Sequence, residues 1–133
     1  MYIMQIHEVP KFYKNEGQHK EQCVRFTLTG KITRADNLPC TVGGDCESLQ
    51  IKSERATICK GYDIASHLAK DKATLYGYVT NDFQMYVMTK VEFLEFAQTF
   101  ATATRESNKN GGQGKLRLKS ESKQMLEWLK RHA

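Results

Sequence analysis

The sequence predicts an α+β domain, a central mixed sheet flanked by helices, and three observations carry that prediction. Segments rich in β-branched and aromatic residues with period-two patterning, such as LQIK, ATLYGYVT and FQMYVMT, alternate along the chain with capped helical segments. The 133 residues suit one domain with one core rather than two. An apolar fraction of 40% with 10% aromatics fits a folded chain and not a disordered one. Strands and helices mixed in this way are expected to pack as helices against a single sheet.

Taken in order, MYIMQI has strand character and is ended by Pro10. NEGQHKEQCVRFTLTG reads as a helix that Gly30 stops. KITRADNL reads as a strand closed by Pro39, and the paired glycines of TVGGD as a turn. ESLQIKSERATIC, residues 47–59, reads as one long strand bent near Ser53. GYDIASHLAKD is a short helix with Asp63 as its N-cap. ATLYGYVT and FQMYVMT form a hairpin around Asn81 and Asp82. Thr89 and Glu92 make a capping box for a helix through VEFLEFAQTFATATRES, whose core stripe is read as Val91, Leu94 and Phe100 with Ala97 and Ala101. NKNGGQG is a linker, and KLRLK and SKQMLEWLKRH end the chain as a strand and a basic amphipathic helix. The expected organisation is a core over residues 1–108 and a basic strand–helix extension over 109–133, packed on the same domain.

Composition narrows the function classes. Cys23, Cys40, Cys46 and Cys59 form no CxxC knuckle, which favours buried free thiols over a zinc site. No apolar run reaches the roughly 20 residues of a membrane span, and the first residues lack a secretory pattern, so a cytoplasmic protein is expected. The net charge of +5 is concentrated at one end, since residues 101–133 hold eight Lys/Arg against three Asp/Glu. A basic end on a neutral body suits an anionic partner such as nucleic acid.

In LQIKSER, Gln50 and Lys52 fall two apart on a strand and share a face, opposite Leu49 and Ile51. An oxygen ligand and a lysine so placed aim at one point. Mg²⁺ takes hard oxygen ligands, and a lysine beside it can orient a water and offset phosphate charge. The competing reading makes Gln50, Lys52 and Glu54 the wet face of an amphipathic strand.

The order GQHKEQCVRFTLTG, an aspartate, then LQIKS resembles the PD-(D/E)xK nuclease superfamily. This restriction-endonuclease-like family includes restriction enzymes, Holliday-junction resolvases and Mrr-type endonucleases. The resemblance implies an αβββαβ core, here with a C-terminal helical extension. It further implies a Mg²⁺ or Mn²⁺ site on an aspartate and a following QxK, with a glutamate on the first helix at Glu21. Asp36 and Asp45 are both candidates for the aspartate. A three-residue loop at Gly43–Asp45 pairs Val42 with Cys46 and brings Asp36 to the Gln50–Lys52 face, which favours Asp36. A two-residue Gly-Gly turn puts Asp36 opposite Ile51 instead, and Asp45 could close a longer loop opposite Gln50.

The expected activity is a small metal-dependent DNA endonuclease, hydrolysing phosphodiesters with Lys52 at the water. Lys115, Arg117 and Lys119 alternate on one face of KLRLK and, with Lys123, form the expected DNA contact. A homodimer would let two such sites cut both strands. Tyr76 and Tyr78 are either further DNA contacts or cross-strand partners of Tyr86, and Trp128 is read as the anchor of the last helix. Two rivals are a DNA-binding module on the same fold that does not cut, and a small phage-type interaction or inhibitor protein.

Overall fold

A computed structural model describes residues 1–11, 14–30, 38–42, 45–104 and 114–133, with the backbone alone at 38–42 and 45–48. In chain order the elements are β1 (Tyr2–Gln5), α1 (Glu16–Thr29), β2 (Leu38–Val42), β3 (Asp45–Lys52), β4 (Thr57–Lys60) and α2 (Ile64–Lys70). They continue with β5 (Leu75–Val79), β6 (Gln84–Thr89), α3 (Lys90–Phe100), β7 (Ala101–Thr104), β8 (Lys115–Leu118) and α4 (Lys123–His132). The fold is α+β, as the patterning predicts.

Local chemistry sets the helix boundaries. Asn15 caps α1 by accepting from Gln18 N, and Gly30 ends it at φ 71°, a conformation that glycine adopts without a Cβ clash. Asp63 accepts from Ser66 N to start α2. Thr89 and Glu92 form the reciprocal capping box that starts α3.

The main sheet has the order β1-β6-β5-β3-β2 and is mixed, because β3 and β5 run parallel while its other neighbours are antiparallel. The parallel pair is joined through β4 and α2, as a parallel pair needs a crossover. The pleat then sorts the side chains. Leu49, Ile51, Val79, Met85 and Val87 pack with Cys23 and Val24 of α1 on one face. Tyr76, Tyr78, Tyr86 and Met88 meet Phe93 and Phe96 of α3 on the other, with Tyr76 stacked on Phe93 at 4.5 Å. Each such ring, fully buried, contributes roughly 1.5–3 kcal/mol.

Several expectations are corrected. The long strand over 47–59 is two strands in different sheets. β3 ends at Lys52, a turn at Ser53–Ala56 is closed by Ala56 N donating to Ser53 O at 3.1 Å, and β4 then joins a second sheet of order β4-β8-β7. The expected single sheet is therefore accompanied by a three-stranded one. The helix expected through residue 107 stops at Phe100, because the alternating Ala101–Thr104 pairs with β8 from Ala101↔Leu118 to Thr104↔Lys115. Its core stripe is Phe93, Phe96, Ala97 and Phe100, spaced i, i+3, i+4, i+7, whereas Val91 is 77% exposed. Pro39 does not close a strand. It lies inside β2, an edge strand where a missing N–H costs no ladder bond. Val42 pairs with Asp45 rather than Cys46, the register of a two-residue connection. The strand expected at KITRADNL begins in residues 31–37, which lie outside the described residues, as does most of the NKNGGQG linker.

The basic end is woven into the molecule. β8 is the middle strand of the second sheet, and Met125, Trp128 and Leu129 of α4 are buried in the core, so Trp128 anchors the last helix.

Candidate active site

Gln50 and Lys52 are neither on open solvent nor deep in the core. In the parallel ladder Gln50 pairs with Tyr76 and Lys52 with Tyr78, so both belong to the face covered by α2 and α3. There they line a cleft of about 370 Å³ with Ile58, His67, Lys70 and Asp71. Both side chains are half-buried. The wet-face reading of the strand therefore fails for these two residues, and the cleft reading holds.

Lys52 is the last residue of β3, and its Nζ donates to Thr57 O at 2.9 Å. An ammonium has three donors, so this bond fixes its position and leaves two for a ligand. Burial lowers its pKa below the usual lysine value, against the opposing pull of Asp71, Glu21 and Cys59. The result is a positioned cation whose proton is more easily lost than that of a surface lysine.

Asp71 is the acidic neighbour that the sequence reading missed. It caps the C-terminus of α2, where the helix dipole disfavours a carboxylate. That misfit was the available signal. Burial would raise its pKa, but hydrogen bonds from Ala73 N at 3.2 Å and Tyr76 Oη at 2.9 Å, with His67 and Lys90 nearby, hold it below the ordinary aspartate value. It is thus a carboxylate at neutral pH.

A second, larger hollow of about 610 Å³ lies at the carboxyl ends of the parallel pair, where open α/β sheets place their ligands. Its walls include Glu21 and Lys20 of α1, the Ser53–Thr57 connection, Asn81 and Arg117. Lys20 is only 4% exposed and donates to Asn81 Oδ1 at 2.7 Å. Glu21 is half-buried and within electrostatic reach of Lys52, so the residue expected on the first helix does meet the lysine's field. Nearby, Glu54 Oε2 accepts from Glu121 N at 2.7 Å, and Glu121 accepts from Tyr78 Oη at 2.9 Å, which ties this rim to the sheet.

The remaining expected residues are distributed as follows. Asp36 lies outside the described residues. Asp45 opens β3 at the end opposite Lys52, ~17 Å from Gln50 along the strand at 3.3–3.4 Å per residue. Arg117 and Lys119 are exposed on or beside β8, and Lys115 is half-buried. Lys123 stands exposed in the first turn of α4, 4.0 Å from Glu127. Tyr76 and Tyr78 are 1% and 0% exposed, so they are core residues and not DNA contacts.

Among the described residues no three Asp, Glu, His or Cys side chains converge as a metal cage would. No helix among them is long and apolar enough to cross a membrane. No protein-family model matches this chain, and no curated protein or solved structure matches it either.

Proposed function

We propose that the chain is a Mg²⁺-dependent DNA endonuclease that hydrolyses phosphodiester bonds in the cleft at the end of β3. The observation that carries the reading is the shared cleft of Gln50, Lys52 and Asp71, with Lys52 held by Thr57 O and partly desolvated. Along the chain the elements from α1 to β5 follow the αβββαβ order that the QxK resemblance implies, although β4 pairs in the second sheet.

The donor set fits Mg²⁺ in kind. Gln50 Oε1 and the Asp71 carboxylate are hard oxygens, and Mg²⁺ takes one or two carboxylates and completes its shell with water and substrate phosphate. The two-residue register from Val42 to Asp45 is the one that turns Asp36 away from the Gln50–Lys52 face, so Asp36 is left out of the donor set, and Mn²⁺ would serve in place of Mg²⁺. The ion would polarise the phosphoryl oxygen and acidify a water. Lys52 orients the attacking water and offsets charge growing on the phosphoryl oxygens. Burial lowers the Lys52 pKa, and Asp71 and Glu21 oppose that lowering and so favour its charged form. The working place in this reading is the cytoplasm, and a homodimer would bring two such clefts to the two strands of a duplex.

Supercoiled plasmid incubated with the protein and Mg²⁺ or Mn²⁺ tests this reading. Nicked and linear products that vanish with chelator and in Lys52→Ala are expected. Equal cleavage by Lys52→Ala and the parent would overturn the assignment. A DNA-binding module that does not cut is favoured by the exposed cations outside the cleft. It would show as retained binding with no cleavage under any divalent ion.

A further inference from the structure

Three residues past Lys52, the chain adopts a conformation that its side chain does not explain locally. Arg55 has φ 62°, the left-handed region, at the third position of the Ser53–Ala56 turn, where glycine or asparagine is the low-cost residue. Phe83 is the other non-glycine residue with positive φ among those described, at 61°. Its case is accounted for by packing, since its ring lies against the α1-side core and edge-on to His19 at 5.8 Å. Arg55 has no such return. Its side chain is 68% exposed and lies 3.8 Å from Glu54, too far for a good charge-assisted hydrogen bond. Strained residues persist where the surrounding structure over-determines them, and they cluster at ligand sites. The turn is indeed pinned to the second sheet, by Leu118 N to Ala56 O at 2.9 Å and by Arg55 N to Lys119 O at 3.4 Å.

The pinning brings Arg55 beside Arg117. Both residues line the 610 Å³ hollow above the parallel strands. Both also line a shallow hollow of about 310 Å³ with Thr102, Thr104, Lys119 and Ser120. They therefore form the saddle between the two. Beyond the saddle, the register sets Thr57, Arg117 and Thr102 in one row of the second sheet, and Lys60, Lys115 and Thr104 in a row two further on, past Cys59, Leu116 and Ala103. These six positions hold three cations, three hydroxyls and no carboxylate. Glu54, 3.8 Å from Arg55, lines the larger hollow as well, and the planar forks of the two arginines suit a phosphate that offers two oxygens.

We propose that Arg55 and Arg117 grip one backbone phosphate of DNA, and that the outer face of the β4-β8-β7 sheet carries the strand onward from that grip. The inference rests on the nuclease reading for the identity of the polymer. It names the surface that holds the substrate, and binding alone tests it.

The experiment is fluorescence anisotropy of a labelled DNA duplex in chelator, across a salt series, with thermal melts of each protein. Arg55→Gly removes the guanidinium and relieves the left-handed strain together. It should weaken binding by about 10-fold or more, as for a lost hydrogen bond to a charged group, and lower the slope of log affinity against log salt by roughly 0.9. It should also melt at a higher temperature than the parent. Arg117→Ala should show the same loss in slope. The double variant should lose less than the two single losses combined, because both arms hold one phosphate. Arg55→Lys should fall between parent and glycine variant, keeping the charge without the fork. Parent-like affinity and slope in Arg55→Gly would overturn the proposal, and so would a parent that does not bind DNA. A parent that binds as described but never cuts with Mg²⁺ would overturn only the nuclease reading.

Discussion

Lys52 and Arg55 stand three residues apart and are treated by the fold in opposite ways. Lys52 is drawn into a cleft, tied to Thr57 O and partly stripped of water, so its proton is loosened. Arg55 is turned out to solvent at the cost of an unfavourable backbone conformation. Burial prepares a cation for chemistry, and exposure prepares one for affinity. The break at Ser53, which sends the chain from one sheet to another, is what allows seven residues of sequence to hold both.

Perturbing the two regions separately should break them apart. The largest effect belongs to Lys52→Ala, where loss of a positioned charge should lower the cleavage rate by about 10²–10³-fold. Gly77→Ala should harm both regions together. An added Cβ would lie 2.5 Å from Met85 Sδ and 3.5 Å from Ile51 Cδ1, inside the core that holds β3. Overpacking of this kind costs about 1–3 kcal/mol, and chemical denaturation would read it.

Asp63→Ala should touch the cleft alone. It removes the cap of α2, the helix that brings His67, Lys70 and Asp71 to Lys52, and should cost about 1 kcal/mol. Cleavage should fall while the salt slope of binding stays that of the parent. Neutralising Lys115, Arg117 and Lys119 together should do the reverse. The salt slope should drop by roughly 0.9 per lost phosphate contact, with stability changed by less than about 1 kcal/mol.

The pH response separates the regions as well. Lys52 has a folded pKa below its ordinary value of 10.5, so between the two values the unfolded chain binds more protons than the folded one. Stability should therefore gain as pH rises through that interval, and Lys52→Met should lose the gain. Cleavage should move the other way, falling as Lys52 deprotonates at a pH below 10.5. Binding through Arg55 and Arg117 should carry no limb where cleavage falls, since Lys52 takes no part in that grip.

Much of the fold was legible because it rests on local chemistry. The caps at Asp63 and Thr89, the stop at Gly30 and the hairpin around Asn81 are all short-range, and each is where the patterning puts it. The shared face of Gln50 and Lys52 follows from a period of two and needed no partner to see. What failed was long-range. ATAT continues a helix by composition and becomes β7 only because β8 lies beside it. Asp71 reaches the cleft by a crossover that no spacing encodes, although a carboxylate at a helix C-terminus was a visible anomaly. The phenylalanine stripe was legible and misread by phase, since 93, 96, 97 and 100 satisfy helical spacing better than the positions around Val91. Arg55 was hidden, because a left-handed arginine leaves no mark on a sequence.

The most direct measurement is a paired one on the parent and Lys52→Ala: affinity for a DNA duplex in chelator, and single-turnover cleavage of the same saturated duplex after Mg²⁺ is added. The account predicts matching affinities and salt slopes, with cleavage by the variant at least about 10²-fold slower. Matching cleavage rates, or a variant that loses affinity in proportion to its lost cleavage, would contradict it, since Lys52 would then be either idle or simply one more cation on the binding surface.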